Sequence, residues 1–244
     1  MEESVQASQI HVPELSVVIL FYRAEDMARE LVTQISKELS NEGIDYELVL
    51  VGNYFPNTRD STPEILKEMA KNDPRCIVIA RVKEGMMGWD MRSGLEVATG
   101  SYIAVIDGDG QMPVSDVVKV YLVLKVGKYD LVKTFRSQRF DGFYRRSISY
   151  FYNLFFRLLF RSASMLRDIN SKPKIMTREA YEKMNLISND WFTDAEIMIE
   201  ALKKNLIIGE VSTIFYKNER RSTFIPVSAI FEFLANLLKY RFLK

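Results

Sequence analysis

The stretch Tyr102-Ile-Ala-Val-Ile-Asp107-Gly-Asp109-Gly-Gln111 joins an apolar run to a pair of carboxylates. An unbroken apolar run of this length is the pattern of a short strand buried on both faces of a parallel sheet. The strand is expected over Tyr102–Ile106, ending on Asp107. Asp107 and Asp109 stand one residue apart, with glycine between and after, so both side chains can turn onto one hard cation. Gln111 adds a carbonyl oxygen. Mg2+ and Mn2+ take oxygen ligands of this kind and share them with substrate phosphates. The plainer reading is an Asp/Gly turn after a strand, since these residues are ordinary turn formers. The position favours the metal reading, because three strand–helix units precede it.

Those units run outward toward the N-terminus. Leu15–Phe21 (LSVVILF) is a wholly apolar strand, followed by Met27, Leu31, Ile35 and Leu39 at helical spacing over Met27–Leu39. Tyr46–Val51 is the second strand, and Pro63 opens a helix through Ala70. Cys76–Ala80 is the third strand, and Met87–Ala98 a helix closed by Gly100. Downstream lie a helix over Val114–Leu124 and a strand over Asp130–Thr134. The second half is less regular. It has an aromatic helix near 143–161, a short strand near Lys174, a helix over Thr193–Lys203, a strand near Ile207–Val211 and a last helix from Val227. Consecutive β-α units imply right-handed crossovers and a mainly parallel sheet in an α/β fold. Ligands of such sheets lie beyond the carboxyl ends of the strands.

Composition narrows the chemistry. Hydrophobic residues at 48% of a 244-residue chain supply one sizeable core. A net charge of +1 gives no global reason to expect nucleic acid. The single Cys76 lies in an apolar run, which argues against disulfides and suits a reducing compartment. The single histidine, His11, sits in a polar leader, which removes His-rich metal sites, Ser-His-Asp triads and Cys-His dyads. Carboxylates, basic groups and a bound metal remain. The opening residues, MEESVQASQIHV, are polar and acidic, unlike a secretory signal. No run reaches the ~20 apolar residues that span a bilayer. The expected location is cytoplasmic, with peripheral contact on the cytoplasmic membrane face.

Taken in order, Leu15-Ser-Val-Val-Ile-Leu-Phe-Tyr22, Gly94-Leu-Glu-Val-Ala-Thr-Gly-Ser-Tyr-Ile103 and Ile106-Asp-Gly-Asp-Gly-Gln111 resemble family 2 glycosyltransferases of the GT-A fold. Asp168-Ile-Asn-Ser171-Lys-Pro-Lys174 and Gly209-Glu-Val211 are similar to the branch holding dolichol-phosphate mannose synthase and the polyprenyl-phosphate glycosyltransferases. The resemblance implies a Rossmann-like, mainly parallel central sheet flanked by helices, with an acceptor-side helical half. It places a flexible leader at 1–13, the GT-A domain at 14–226 and an amphipathic C-terminal helix at 227–244. It further implies inverting transfer of a sugar from a nucleotide-diphosphate donor. Mg2+ or Mn2+ would be held at Asp107, Asp109 and Gln111, with Asp107 also on the donor side.

The chain departs from the family around the donor. The usual acidic pair after the second strand is absent, since Val51 is followed by Gly52-Asn53-Tyr54. Asn53 is the remaining group there for a base or ribose, Asp60 re-enters from the longer loop, and Asp90 is a further donor-side contact. Phe21 and Tyr22 stand where the family opens its donor site.

From Lys133 to Arg161 there are seven Lys/Arg against one acid, Asp141. Arginine grips phosphate through charge-assisted bidentate bonds. The resemblance assigns Arg136 and Arg146 to catalysis and Arg139 and Arg145 to the donor, against the alternative of a solvated basic loop. Arg220 and Arg221, with Lys217 nearby, are expected to close over the diphosphate and neutralise the leaving group. The helix from Phe143 to Arg161 is aromatic on nearly every face. Tyr144, Ile148, Phe151, Phe155 and Leu158 form one stripe, and Tyr152, Phe156 and Phe160 lie elsewhere. Such a helix is either core or an interfacial element that touches lipid. Asp194, in Asp190-Trp-Phe-Thr-Asp-Ala-Glu196, resembles the acceptor-side carboxylate of the family. It would deprotonate a hydroxyl acceptor, or orient groups if the acceptor is a lipid phosphate that arrives ionised. A helix-start acid is the alternative. The resulting expectation is transfer to a polyprenyl phosphate at the membrane surface. A soluble or glycan hydroxyl is the second acceptor class. A non-catalytic GT-A domain that binds a nucleotide or a partner is the alternative of another class.

Overall fold

Val17, Val18 and Ile19 are fully buried because β1 (Leu15–Leu20) lies inside a sheet with neighbours on both edges. The computed structural model describes residues 11–218 and 227–242. Within them, β1 pairs in parallel with β2 (Tyr46–Val51) and with β4 (Tyr102–Asp107), Leu15 standing opposite Tyr46 and Tyr102. The remaining strands are β3 (Cys76–Ile79), β5 (Leu131–Arg139), β6 (Lys174–Thr177) and β7 (Ile208–Phe215). The sheet has seven strands in the order β3-β2-β1-β4-β6-β5-β7. β6 runs antiparallel between β4 and β5, and the other pairings are parallel.

Successive strand residues point to opposite faces, and each face has its own core. Leu15, Val17 and Ile19 pack with Ala28, Leu31, Ile35 and Leu39 of α1 (Asp26–Asn41), with Leu66 of α2 (Thr62–Asn72), and with Val120 and Tyr121 of α4 (Ser115–Val126). Val18, Val49 and Val51 pack on the other side. Their partners there are Met91 of α3 (Met87–Leu95), Tyr152 and Phe156 of α5 (Phe143–Leu159), Ile197 of α7 (Thr193–Lys203) and Leu237 of α8 (Val227–Phe242). Full burial of Ile35 or Leu39 contributes about 1.5–3 kcal/mol each. Gly94 lets α3 lie flat on the sheet, since a Cβ there would stand 2.5 Å from Val18 Cγ1.

Two expected boundaries move. The helix predicted over Met87–Ala98, with Gly100 as its cap, stops at Leu95. Gly100 instead passes β1, its N–H donating to Ser16 Oγ at 2.7 Å, where a Cβ would meet the Ser16 backbone nitrogen at 2.7 Å. The strand predicted over Asp130–Thr134 runs to Arg139, because β7 pairs with it as far as Phe215. Arg136 and Arg139 are therefore strand residues. Phe156 is fully buried, so its side of the aromatic helix belongs to the core. A short helix, α6 (Arg178–Lys183), was not expected; Thr177 caps it by accepting the Ala180 N–H.

Candidate active site

Asp107 ends β4 at the carboxyl edge of the sheet, opposite Leu20. The two glycines that follow have separate reasons. Gly108 passes so close to Phe21 that a Cβ would lie 2.4 Å from its ring, and Gly110 turns the chain at φ 67°. That left-handed turn favours glycine. Asp109 Oδ1 accepts the Gln111 N–H at 3.1 Å. Gln111 Nε2 donates to the Tyr216 carbonyl at 2.9 Å, and the Tyr216 N–H donates back to the Gln111 carbonyl at 2.8 Å. Gln111 thus staples the loop to the end of β7, and only its side-chain oxygen remains for a cation.

Burial, then the neighbouring charge of Asp107, pushes the Asp109 carboxyl up to about 6. Two crowded hard oxygen donors of this kind fit Mg2+ or Mn2+, whose positive charge would relieve their repulsion. Among the described residues no group of three His, Cys, Asp or Glu side chains gathers for a metal. The carboxylate pair therefore suits an ion that takes its other oxygens from substrate phosphates and water.

Beside the pair lies a buried chain of charges. Lys172 Nζ stands 2.9 Å from Asp107 Oδ1 and 2.8 Å from Asp194 Oδ2. Lys174 Nζ donates to Asp194 Oδ1 at 2.6 Å and to the Ser171 carbonyl at 2.8 Å. Burial alone would lower the Lys172 ammonium, but the charges of Asp107 and Asp194 outweigh it and hold it above the usual lysine range. Burial pushes Lys174 down to about 8, against the opposing charge of Asp194. Burial would raise Asp194, but Lys172 and Lys174 hold it below the usual carboxylate range. In the sequence these lysines stand out only through the family resemblance of Asp168–Lys174. A Lys-Pro-Lys run leading into a buried central strand was the available signal, since lysine is almost never fully buried unpaired.

Two cavities meet here, sharing Met87, Asp107, Asp109 and Trp191. The first, about 580 Å³, is lined by Phe21, Tyr22, Phe55, Lys83 and Asp90. The structure brings Phe21, Tyr22 and Asp90 together on the wall of this cavity. Asn53 does not line it. Its amide donates to Asp90 Oδ1 at 2.9 Å, and its oxygen accepts the Arg81 N–H at 2.9 Å, so it holds Asp90 from behind. Asp90 also forms a buried ion pair with Lys83, whose ammonium lies 5.3 Å from the Tyr22 ring centre and 5.6 Å from that of Phe55. Burial raises Asp90 and Lys83 opposes the rise. Lys83 and Phe55 escaped the sequence reading. Asp60 accepts the Arg23 and Thr62 N–H groups and so shapes the loop, where Arg23 and Glu25 hold φ of 51° and 50°.

The second cavity, about 800 Å³, has a charged end and an apolar wall. Arg136 makes a two-point ion pair with Asp168 at 2.6 and 2.7 Å, and Arg139 pairs with Asp141 at 2.6 Å. Arg145 stands 3.6 Å from Asp141, and its Nε is buried with no hydrogen-bond partner. Burial lowers Arg145, with Asp141 opposing and Arg136 and Arg139 adding to the fall. All three guanidiniums lie within 5.9 Å of the Phe215 ring centre. Arg139 and Arg145 line this cavity together with Asp107 and Asp109. Arg146 is exposed and lies outside both cavities. The predicted stripe Tyr144, Ile148, Phe151, Phe155 and Leu158 forms the apolar wall, with Phe233 and Leu234 of α8. Phe156 packs in the core, and Tyr152 packs there while also lining the cavity. Lys217 is exposed beyond β7, while Arg220 and Arg221 lie outside the described residues.

This carboxylate pair at a strand end, between two cavities, is the arrangement expected of a GT-A fold, and the comparisons agree. The family described as Glycosyl transferase family 2 matches residues 16–186, most of the chain, and the chain belongs to that family. A relative from Edwardsiella ictaluri (strain 93-146), an undecaprenyl-phosphate 4-deoxy-4-formamido-L-arabinose transferase, is 30% identical over 137 residues, 55% of this chain and 41% of that protein. One of the same name from Pseudomonas fluorescens (strain Pf0-1) is 30% identical over 142 residues, 57% of this chain and 40% of that protein. The matches thus span about two-fifths of those relatives' length. The fold matches glucosyl-3-phosphoglycerate synthase from Mycobacterium tuberculosis in complex with Mn2+, uridine diphosphate and glucosyl-3-phosphoglycerate. The TM-score is 0.71 at 17% identity, over 94% of this chain and 80% of that one. The same enzyme with Mg2+ and uridine diphosphate gives a TM-score of 0.71 at 16% identity, over 94% and 79%. At these identities the likeness shows the GT-A fold. No helix among the described residues is long and apolar enough to cross a membrane.

Proposed function

We propose that this chain is an inverting glycosyltransferase that moves a sugar from a nucleotide-diphosphate donor onto a polyprenyl phosphate. The observation that carries the reading is the second cavity. Its cationic end, Arg136, Arg139, Arg145 and Lys172, adjoins Asp107 and Asp109, and its wall is the aromatic face of α5. Arginines suit a phosphate head group, and the apolar wall suits an isoprenoid tail. The names of the undecaprenyl-phosphate relatives support the acceptor class. The metal and uridine diphosphate of the structural neighbours support the donor class.

In this reading the first cavity takes the nucleotide, with Tyr22, Phe55 and the Lys83–Asp90 pair around it. Asp107 and Asp109 would hold Mg2+ or Mn2+, which when bound neutralises charge growing on the leaving diphosphate. The acceptor phosphate enters from the other side of the shared carboxylates, so its oxygen meets the anomeric carbon opposite the leaving group, giving inversion. An ionised phosphate brings its own nucleophilic oxygen and needs no general base. Asp194, already shared by two ammoniums, then orients Lys172 and Lys174.

The open face of α5 extends the reading to the membrane. Phe143 is 83% exposed and Phe151 and Leu158 are each 66% exposed, at spacings that put them along one side of the helix. Peripheral contact there would bring the cavity mouth to the lipid that carries the acceptor.

The test is transfer of labelled sugar from a panel of nucleotide-diphosphate sugars to a short-chain polyprenyl phosphate, with Mn2+ or Mg2+. Asp109→Ala should fold normally, lose metal-dependent donor binding, and lose transfer by about a hundredfold or more, the scale of losing electrostatic stabilisation of a leaving group. Wild-type donor binding and turnover in that variant would remove the metal site from the proposal.

A further inference from the structure

Lys172 contacts both Asp107, a carboxylate of the proposed metal site, and Asp194 on the acceptor side. We propose that Lys172 is a resident counter-cation of the metal site. Its ammonium occupies Asp107 until a divalent ion arrives together with the donor diphosphate, so metal entry is tied to donor binding. The inference rests on the glycosyltransferase reading and adds an order of binding to it.

Three features carry it. First, the ammonium is fixed in place: the Lys172 side chain is 2% exposed, and two carboxylates hold it at 2.9 and 2.8 Å. A divalent ion on Asp107 and Asp109 would therefore meet a close positive charge that solvent barely screens. Secondly, the lysine has somewhere to stay. When Asp107 turns to a metal, Asp194 still holds the ammonium, so no buried charge is stranded. Thirdly, the two carboxylates of the pair differ. Among the described residues Asp109 accepts only the Gln111 N–H and makes no ion pair, whereas Asp107 already has the Lys172 ammonium at 2.9 Å. A free metal thus finds one available carboxylate and a repelling ammonium. A metal already on a diphosphate brings several negative charges, which offset the repulsion and offer Lys172 a new partner. By linkage, the nucleotide must tighten metal binding by the same factor that the metal tightens nucleotide binding.

The experiment measures Mn2+ affinity from the resonance of the free aquo ion, with and without uridine or guanosine diphosphate. Wild type, Lys172→Gln, Lys172→Met, Lys172→Arg and Asp109→Ala are compared, with folding checked by circular dichroism. Wild type should bind Mn2+ weakly alone and at least about tenfold more tightly with nucleotide, the scale of one close charge. Lys172→Gln and Lys172→Met should bind free Mn2+ at least about tenfold more tightly than wild type, and gain less from nucleotide. Lys172→Arg, which keeps the charge, should behave as wild type does. The inference is overturned if both folded neutral variants bind free Mn2+ no more tightly than wild type, while Asp109→Ala loses the nucleotide-dependent site. If the neutral variants do not fold, wild type alone decides: equal Mn2+ affinity with and without a bound nucleotide overturns the inference. Retention of the nucleotide-dependent site in Asp109→Ala would instead defeat the underlying metal reading.

Discussion

Replacing Asp194 with Asn separates the two acceptor classes, because the carboxylate is either a base or a brace. The side chain is buried, with Lys172 at 2.8 Å and Lys174 at 2.6 Å on its two oxygens. Removing one partner of a buried ion pair costs about 3–5 kcal/mol. Here the loss is smaller, since Lys172 keeps Asp107, Lys174 keeps the Ser171 carbonyl, and the amide retains one accepting oxygen. A destabilisation of about 2–4 kcal/mol at pH 7 follows, readable as a shift in the urea midpoint. The deficit has a direction in pH. Burial has already pushed Lys174 down to about 8, with the charge of Asp194 opposing, and loss of that charge lowers it further. The unfolded chain then binds more protons than the native chain over a wider range below the ordinary lysine value. Native stability therefore rises with pH across that range, and the deficit narrows from pH 7 to pH 9.

Turnover gives the second readout. A general base, when removed, costs about 10²–10⁴ in rate and takes with it the acid limb of the pH–rate profile. A phosphate acceptor supplies its own limb near pH ~6, where its second proton leaves. With a lipid phosphate acceptor, Asp194→Asn should be less stable, keep the acid limb, and recover much of its rate under stabilising conditions. A variant of wild-type stability that loses transfer and the acid limb together would refute the brace and favour a hydroxyl acceptor.

Two further expectations address the periphery and the charged end. Replacing Phe151 and Leu158 together with serine should abolish capture by anionic liposomes and leave donor binding intact, since both are 66% exposed; unchanged capture would place lipid contact elsewhere, and high salt should weaken wild-type capture without eliminating it. Asp168→Asn should flatten the acid dependence of stability. Burial would raise that carboxyl, but Arg136 by charge and hydrogen bonds, then Lys133, hold it well below the usual range. Its contribution is fully present above the unfolded value of about 3.9 and is lost as pH falls through and below it. Urea midpoints of wild type should therefore drop more steeply than those of the variant between pH 5 and pH 2, and parallel curves would contradict the pairing.

The strands were legible because each is an apolar run bounded by turn residues, and such runs have few other destinations. Asp107 and Asp109 were legible for a related reason: a strand end is visible in sequence, and its carboxyl edge is where ligands bind. The misreadings share a different cause. Lys172 finds Asp107 65 residues away and Asp194 on another element, and Asn53 reaches Asp90 across 37 residues. No local pattern encodes those distances. The strand expected over Asp130–Thr134 stops short of the tail Phe135 to Arg139, which extends by pairing with β7. Tertiary pairing overrode propensity there. The aromatic helix was ambiguous because α5 serves three surroundings at once: core, cavity wall and open face.

The density of buried charge bears on whether this is an active domain or a binding relic. Lys83–Asp90, Arg136–Asp168 and the Asp107–Lys172–Asp194–Lys174 chain all border the two cavities. Each is costly to desolvate, and well-packed apolar side chains would hold a fold at least as well. Stability alone therefore does not account for their clustering, whereas handling two phosphorylated substrates does. The missing acidic pair after β2 fits the same account. Where the family keeps carboxylates, this chain has Asn53, which turns inward and positions Asp90 from the facing helix α3. A carboxylate still lines the first cavity, contributed by another element and held by Lys83. A domain that had lost its donor chemistry would have no such need to hold a buried acid against a cation there. The pattern favours the proposed transferase over the non-catalytic reading, and in that proposal Asp90, supported by Asn53, is the group that would meet the nucleoside.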